Sequence, residues 1–308
     1  MRTTHSVDPA AALPPELFAQ IKAIQIRTQR LVTEVMAGEY ESAFRGRGME
    51  FEQVREYLPG DDVRLIDWNV TARLGAPHVK QHREERQLTV MLVVDVSSSG
   101  AFGSHAKLKR EVAAEVAAVL AYTAIKSNDR VGLILFSDAV ELYIPPKKGR
   151  AHVWRVIREI LSFRPARRGT DLDAALELLL KVTPRRVVSF LISDFLDRGF
   201  EGRLRLAAAR HDLTAISIAD RRERDLPRVG LIELEDAETG ATVVIDSRDR
   251  RVVEGLRSAS RGEAEALSSL LRSAGAGEMA VETDQPYVDT LIRFFRAREK
   301  RRVRRRAA

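Results

Sequence analysis

Three short groups of oxygen-bearing side chains stand out in this sequence of 308 residues. Asp95-Val96-Ser97-Ser98-Ser99 follows one apolar run, Ser193-Asp194 follows another, and Arg168-Gly169-Thr170-Asp171 precedes a segment with helical periodicity. Carboxylate and hydroxyl oxygens are hard ligands, which suit Mg²⁺, Mn²⁺ or Ca²⁺ and not the soft metals. The two aspartates would supply negative charge and the hydroxyls neutral oxygen ligands. These groups therefore predict a site for one divalent cation, and Mg²⁺ is the preferred candidate.

The elements around these groups indicate how they could meet. Apolar runs at 88–94, 130–136 and 187–192 are typical of strands buried on both faces, and segments with helical periodicity separate them. This alternation predicts an α/β fold with a doubly wound, mostly parallel sheet covered by helices. In such a sheet, ligands bind beyond the carboxyl ends of the strands, at the topological switch point. Both aspartate-bearing groups follow an apolar run at this kind of position.

In this order and setting, the three groups resemble the metal-ion-dependent adhesion site of von Willebrand factor A domains. All five motif positions are filled, by Asp95, Ser97, Ser99, Thr170 and Asp194. The resemblance covers roughly residues 88–220. It implies that the two serines and the threonine bind the ion directly or nearly so, and that the aspartates bind directly or through water. It also implies that a carboxylate from a partner protein completes the octahedral shell.

The preceding block carries a second resemblance, to the family labelled domain of unknown function 58. The residues concerned are Arg45–Phe51, Arg55–Tyr57, Pro59–Asp62, Arg64, Ile66–Trp68 and Thr71–Arg73. Members of that family place such a block directly before an adhesion-type domain, and they are often encoded beside MoxR-type AAA+ ATPases. The resemblance implies a protein-binding, chaperone-like factor that is not an enzyme. Its implied partners are a MoxR-type ATPase and a client protein that bears acidic residues.

The chain divides by pattern into five segments. Helical spacing predicts a helix from Glu16 to Met36 that stops at Gly38, whereas the block after it predicts short strands and turns. We expect this block and parts of the region after residue 220 to form a small β-rich accessory unit. The predicted segments are a disordered stretch with the N-terminal helix (1–38), the family-specific block (39–87), the von Willebrand A-like domain (88–220), a C-terminal extension with a hairpin and helices (221–295), and a basic tail (296–308).

Composition excludes several classes of site and function. The chain has no cysteine, which excludes disulfides, iron–sulfur clusters and cysteine nucleophiles. It also lacks an apolar run of about 18 residues and a secretory signal pattern, so we expect no membrane span and a cytoplasmic location. The net charge of +7 comes from residues 296–306, which hold eight basic residues and one acidic residue. The basic pI is therefore a property of the tail.

Three alternative interpretations stay open. Asp95 and its serines could form only a turn and a helix cap, since both residue types favour those positions. The chain could instead be a magnesium-dependent phosphohydrolase with Asp95 as its nucleophile, although Ser97 stands where the dehalogenase-type enzymes need a second aspartate. The basic tail could bind nucleic acid, but it lacks interleaved aromatic residues, so no nucleic-acid partner is expected.

Other polar and aromatic residues are interpreted as structural. Asp61, Asp62 and Asp67 are expected to pair with Arg55, Arg64 and Arg73 in a solvated turn, and Asp171 to act as a charge at a helix N-terminus. Trp68 is expected to pack in the core or at an interface. The six histidines show no spacing typical of a metalloprotease.

Overall fold

The computed structural model describes residues 22–24, 26, 28, 32, 37–44, 50–59, 61–63, 66–83, 87–104, 107–165, 167, 169–235 and 240–307. The strands are β1 (Glu50–Glu56), β2 (His78–Arg83), β3 (Thr89–Asp95), β4 (Arg130–Phe136), β5 (Val140–Lys147), β6 (Val188–Ser193), β7 (Asp212–Ala219), β8 (Leu231–Glu235), β9 (Thr242–Asp246) and β10 (Gly277–Glu282). The α-helices are α1 (Ala37–Phe44), α2 (Trp68–Leu74), α3 (Lys109–Lys126), α4 (Arg150–Ser162), α5 (Leu172–Val182), α6 (Glu201–Arg210), α7 (Arg250–Ala274) and α8 (Tyr287–Ala307).

A six-stranded sheet in the order β10-β7-β6-β3-β4-β5 forms the centre of the fold. All neighbours in it are parallel except β5, which runs antiparallel to β4 at one edge. The first strand of this sheet, β3, lies between β4 and β6, so the chain changes direction of winding there. The predicted doubly wound, mostly parallel sheet is confirmed. The switch point lies between the carboxyl ends of β3 and β6, where such folds bind ligands.

Helices cover both faces of the sheet because the strand side chains alternate between two apolar cores. In β3, Val90, Leu92 and Val94 pack with α1, α3, α4 and α8, whereas Met91 and Val93 pack with α5, α6 and α7. All five side chains are at most 1% exposed. This two-sided burial explains why the central strands read as continuous apolar runs.

The helix α1 differs from the sequence prediction, which ended an N-terminal helix at Gly38. That prediction was wrong, because α1 runs through Gly38 as far as Phe44. Its aromatic side chains pack on α8: the Phe44 and Phe295 rings lie 5.7 Å apart, edge to face. This packing overrides the weak helix propensity of glycine. The predicted helix from Glu16 to Met36 lies largely outside the described residues, as do Arg45–Met49 of the family-specific block.

The family-specific block contains the antiparallel pair β1–β2 and the short helix α2, which the pattern of turns did not predict. Asp67 accepts hydrogen bonds from the backbone of Asn69 and Val70 and so caps α2. Trp68 is 69% exposed, so it does not pack in the core, and its packing at an interface stays a prediction. The hairpin β8–β9 is a separate two-stranded sheet. The division of the chain into domains stays a prediction.

None of the helices in the described residues combines the length and hydrophobicity that crossing a membrane requires.

Candidate functional site

The predicted site residues meet at the carboxyl edge of the sheet. A small cavity of about 20 Å³ opens there between the loop after β3 and the loop after β6. Space of this size holds about one water molecule or one small ion. The polar residues that line it are Asp95, Ser97, Ser99, Lys109, Arg110, Ser193 and Asp194. Four of the five predicted metal ligands therefore share one cavity.

The Asp95 carboxylate is held by donors from both loops. The Ser193 hydroxyl donates to Oδ2 at 2.6 Å, and the Ser97 backbone N–H donates to Oδ1 at 2.9 Å. The hydroxyl oxygens of Ser97 and Ser99 lie 2.9 Å apart, so they face the same space. Burial raises the pKa of the Asp95 carboxyl to about 6, and the nearby charge of Asp194 adds to the rise. The fold thus holds two carboxylates close together in a poorly solvated place.

Lys109 brings a positive charge to this acidic centre from the first turn of α3. Its ammonium group donates to Asp194 Oδ2 at 2.9 Å and to Glu223 Oε1 at 2.6 Å. The Lys109 side chain is 4% exposed. Burial alone would lower the pKa of Lys109, but the carboxylates of Asp194 and Glu223 raise it above its ordinary value. Asp194 is therefore already paired with a cation, whereas Asp95 takes part in no ion pair found among the described residues.

Thr170 lies two residues before the start of α5 and is half-buried, but it is not among the residues that line the cavity. The next residue, Asp171, caps α5 by accepting a hydrogen bond from the Ala174 backbone N–H at 2.8 Å. This is the helix-terminal role predicted for it. Asp197, from the loop after β6, accepts from the Leu172 backbone N–H at 2.8 Å. The loop that carries Asp194 is thus joined to the segment that carries Thr170.

Asp220 joins three further segments at the same edge of the sheet. It is fully buried, and its carboxylate accepts from the Ser104 hydroxyl, from the Thr283 hydroxyl at 2.6 Å and from the Arg222 backbone N–H at 2.8 Å. Burial alone would raise its pKa, but these hydrogen bonds hold the pKa of Asp220 well below its usual range. Ser104 follows the serine loop of the site, so Asp220 ties that loop to the ends of β7 and β10.

The backbone after Asp194 adopts an uncommon conformation. Phe195 has a φ of 59°, in the left-handed region that non-glycine residues rarely occupy. Its ring is buried and lies 6.2 Å from the ring of Phe200, centroid to centroid. A left-handed bulky residue costs roughly 1–3 kcal/mol, and such strain clusters at functional sites.

Comparisons with known proteins give a family and several relatives for this chain. A family model described as "Protein of unknown function DUF58" matches residues 53–266. The chain belongs to the DUF58 family. Two uncharacterized relatives, Rv1480 of Mycobacterium tuberculosis and Mb1516 of Mycobacterium bovis, are each 32% identical to it over 289 residues. These alignments cover 93% of this chain and 91% of each relative.

Several solved structures are similar to this DUF58 protein. They include the conserved hypothetical protein BatB from Bacteroides thetaiotaomicron, with 16% identity, a TM-score of 0.43 and coverage of 69% of this chain and 99% of BatB. An aerotolerance-related membrane protein from Bacteroides fragilis has 16% identity, a TM-score of 0.45 and coverage of 70% and 99%. The von Willebrand A domain of SpRpn10 has 9% identity, a TM-score of 0.38 and coverage of 67% and 94%. The strand order and the antiparallel edge strand give the DUF58 chain its von Willebrand A-like fold.

The donor set of the DUF58 site fits a hard divalent cation. Asp95, Ser97, Ser99 and Asp194 offer carboxylate and hydroxyl oxygens, which match the ligands that Mg²⁺ prefers. The raised pKa of Asp95 indicates that a cation beside it would relieve unfavourable negative charge. Across the described ranges of the chain, no group of three or more His, Cys, Asp or Glu side chains could hold a metal ion. A site here would therefore depend on hydroxyl oxygens as well as on its two carboxylates.

Sequence reasoning missed Lys109 and Glu223 as members of the site. One signal could have found the lysine, because a positive charge in the first turn of a helix opposes the helix dipole and needs an anionic partner nearby. Glu223 gave no such signal, since it lies far from Lys109 in the sequence.

Asp61 of the family-specific block pairs with Arg55, as the sequence analysis expected, whereas the ion pairs expected for Asp62 and Asp67 stay predictions. Both oxygens of Asp61 accept from the Arg55 guanidinium at 2.7 Å, and Asp67 caps α2. Arg64 lies outside the described residues.

Proposed function

We propose that this DUF58 protein is a metal-dependent protein-interaction factor. One divalent cation, Mg²⁺ in preference to Mn²⁺ or Ca²⁺, would be held by Asp95, Ser97, Ser99, Thr170 and Asp194. The bound ion would supply a Lewis-acidic contact for an Asp or Glu side chain of a partner protein. The observation that carries this proposal is the pairing of Asp95 with Asp194 beside two hydroxyls at the switch point of the sheet.

The same geometry favours binding over catalysis. Both oxygens of Asp95 accept hydrogen bonds, from Ser193 and from the backbone of Ser97, so the carboxylate is fixed in place by its neighbours. A phosphohydrolase of the dehalogenase type needs a second acid–base group beside its nucleophile. Ser97 occupies the position where that second group would be expected. Phosphatase activity that disappears in Asp95→Asn would support the enzyme alternative instead.

We further propose that the protein works with a MoxR-type AAA+ ATPase in the chaperone-like assembly or maturation of a client complex. The support for this partnership is membership of the DUF58 family and the resemblance of its site to an adhesion site. The client would present an acidic side chain at the cavity. Arg110, which lines the rim and is exposed, would attract that carboxylate.

A magnesium titration of the purified chain tests the metal site. Binding to the native state stabilises it, by about 2.7 kcal/mol when the ion is present at a hundred times its dissociation constant. We expect saturable stabilisation in thermal unfolding, and we expect Asp95→Ala to abolish it. Asp138→Ala is the matched control, because Asp138 is exposed and pairs with Arg167. A response that persists in Asp95→Ala would place the ion elsewhere.

A capture experiment tests the interaction. The tagged chain is incubated with a purified MoxR-type ATPase and with an extract of the source cells, in magnesium or in EDTA. We expect capture in magnesium that both EDTA and Asp95→Ala remove. Capture that is insensitive to both treatments would rule out an adhesion-site mechanism.

A further inference from the structure

Lys109 is a cation that the fold itself delivers to the candidate metal site. Its ammonium group lies 2.9 Å from Asp194 Oδ2 and 2.6 Å from Glu223 Oε1, at the end of a side chain that is 4% exposed. It lines the same small cavity as Asp95, Ser97 and Ser99. A divalent ion entering this cavity would therefore find one of its carboxylate ligands, Asp194, already paired with the ammonium group of Lys109.

The charges of the site put the ion and the lysine in competition for Asp194. Two like charges a few ångströms apart repel strongly in a poorly solvated cavity, whereas each is attracted to the same carboxylate. Glu223 offers Lys109 a second partner that lies farther out, since its side chain is 31% exposed. The lysine could therefore release Asp194 and keep an ion pair.

We propose that Lys109 is an internal counter-ion that competes with the divalent cation for Asp194 and thereby sets the metal affinity of the site. This inference rests on the proposed metal-dependent function. Lys109 acts through Asp194 and is a positioning residue. When the ion binds, the lysine turns from Asp194 to Glu223, which restrains it. The loss of Lys109 and the loss of Glu223 thus have opposite effects on metal affinity.

The test is a magnesium titration of the full chain by calorimetry, with thermal unfolding as a second readout. Lys109→Met removes the charge and keeps a side chain of similar length, and we expect it to lower the magnesium dissociation constant roughly tenfold or more. Lys107→Met is the matched control, because Lys107 pairs with Glu115 and does not line the cavity. We expect it to change the constant by less than about twofold.

Glu223→Gln provides a second variant that stays informative if Lys109→Met fails to fold. Glutamine keeps an oxygen that can accept from the Asp220 backbone N–H, as Glu223 does at 3.0 Å, but it frees Lys109 to bind Asp194 alone. We expect weaker magnesium binding in this variant. In the double variant Lys109→Met/Glu223→Gln, the effect of the Glu223 change becomes smaller, because the residue through which it acts is absent.

The outcomes separate this inference from the proposed function. If wild type binds magnesium and Lys109→Met binds it no more tightly, the proposed role of Lys109 is wrong, but the proposed metal site is supported. Tighter binding in Glu223→Gln also overturns the role of Lys109. The absence of any magnesium response in both wild type and Lys109→Met overturns both proposals. A response in Lys109→Met that Asp95→Ala abolishes supports both, even where wild type binds too weakly to measure.

Discussion

At the scale of single residues, two buried carboxylates at one edge of the sheet have pKa values shifted in opposite directions. The pKa of Asp95 rises to about 6 because the group is buried and faces Asp194. The pKa of Asp220 is low because, despite its burial, hydroxyl and backbone donors stabilise its charge. The difference lies in the donors each group meets. Asp220 meets a full set of donors and is structural, whereas the donors that Asp95 meets do not offset its burial.

We predict that Asp220→Asn destabilises the protein by about 2–3 kcal/mol at pH 7, because a buried charged acceptor with three donor segments is lost. The depressed pKa of Asp220 means that its contribution is present above the unfolded pKa of about 4 and is lost as the pH falls toward the lower folded pKa. The difference in the free energy of unfolding between the variant and wild type should therefore become smaller at low pH. Urea unfolding at pH 7 and pH 3.5 measures it. Asp225→Asn, which removes an exposed ion pair with Arg257, should show a smaller effect.

At the scale of elements, α1 and α8 are joined by aromatic packing over one end of the sheet. Phe295 is fully buried, and its ring lies 5.9 Å from Tyr40 and 5.7 Å from Phe44. Arg298 stacks over the Phe44 ring at 4.2 Å and forms an ion pair with Asp212 at the start of β7. The helix α8 is thus a part of the core.

We predict that Phe295→Ala costs about 3–5 kcal/mol, the usual range for removing a buried aromatic ring. Denaturant unfolding measures the loss, and proteolysis should cut α1 and α8 sooner than in wild type. Leu206→Ala on α6, where the side chain is 57% exposed, is the control and should leave stability nearly unchanged. Equal losses in the two variants would contradict this account of the helix pair.

A second link runs from α1 to the loop between α3 and β4. Asp129 accepts from the Tyr40 hydroxyl at 3.1 Å and from the Leu88 backbone N–H at 2.9 Å, and burial raises its pKa to about 6. The folded state therefore holds this proton more tightly than the unfolded chain, whose Asp pKa is about 4. The contribution of Asp129 to stability is largest below pH 4 and falls as the pH rises through the window to about 6.

We predict that Asp129→Asn makes the stability of the protein depend less on pH between about 4 and 6. Asparagine has no charge to bury and can still accept from the Leu88 backbone N–H. Thermal unfolding of wild type and variant between pH 4 and pH 7 tests it. The unfolding temperature of the variant minus that of wild type should be higher at pH 7 than at pH 4. Because Asp95 has its elevated pKa in the same window, the comparison uses the difference between variant and wild type at each pH.

Sequence patterns predicted the central strands well because a strand buried on both faces appears in the sequence as one consecutive apolar run. The runs that became β3, β4 and β6 are apolar at consecutive positions, which is the pattern of a strand buried on both faces. The place of the site in the loops after β3 and β6 was predictable because ligands bind beyond the carboxyl ends of parallel strands. The route of the chain through Gly38 could not be predicted, since it depends on Phe295, which is 257 residues away. Glu223 reaches the site through Lys109, a contact across 114 residues that no local pattern records.

At the scale of the whole molecule, the large sheet and the two small sheets differ in how much burial stabilises them. The six-stranded sheet is buried on both faces, whereas the pairs β1–β2 and β8–β9 are two-stranded sheets with several exposed apolar side chains nearby, among them Leu58, Val63, Trp68, Leu231, Val243 and Val244. Two-stranded sheets have little stability of their own. The core of the molecule and its two small sheets should therefore open independently.

We predict that hydrogen exchange separates these layers. Peptides from 89–95 and 188–193 should exchange only through global unfolding, while peptides from 50–59 and 242–246 exchange through local opening at much lower cost. Mass-spectrometric exchange at increasing denaturant measures both. Protection of the small sheets equal to that of the centre would show that the chain unfolds as one unit.

The position of the site between β3 and β6 also has a mechanical consequence. Each of these strands is hydrogen-bonded to a parallel neighbour on both sides, and each carries one of the two aspartates at or just beyond its end. A force applied to Asp95 or Asp194 along the strand would load both flanking ladders in shear, so many hydrogen bonds would have to fail together. The hairpin β8–β9 has a single ladder, which a force could open one bond at a time. The carboxyl ends of β3 and β6 should therefore resist a pulling force better than the ends of the hairpin β8–β9 do.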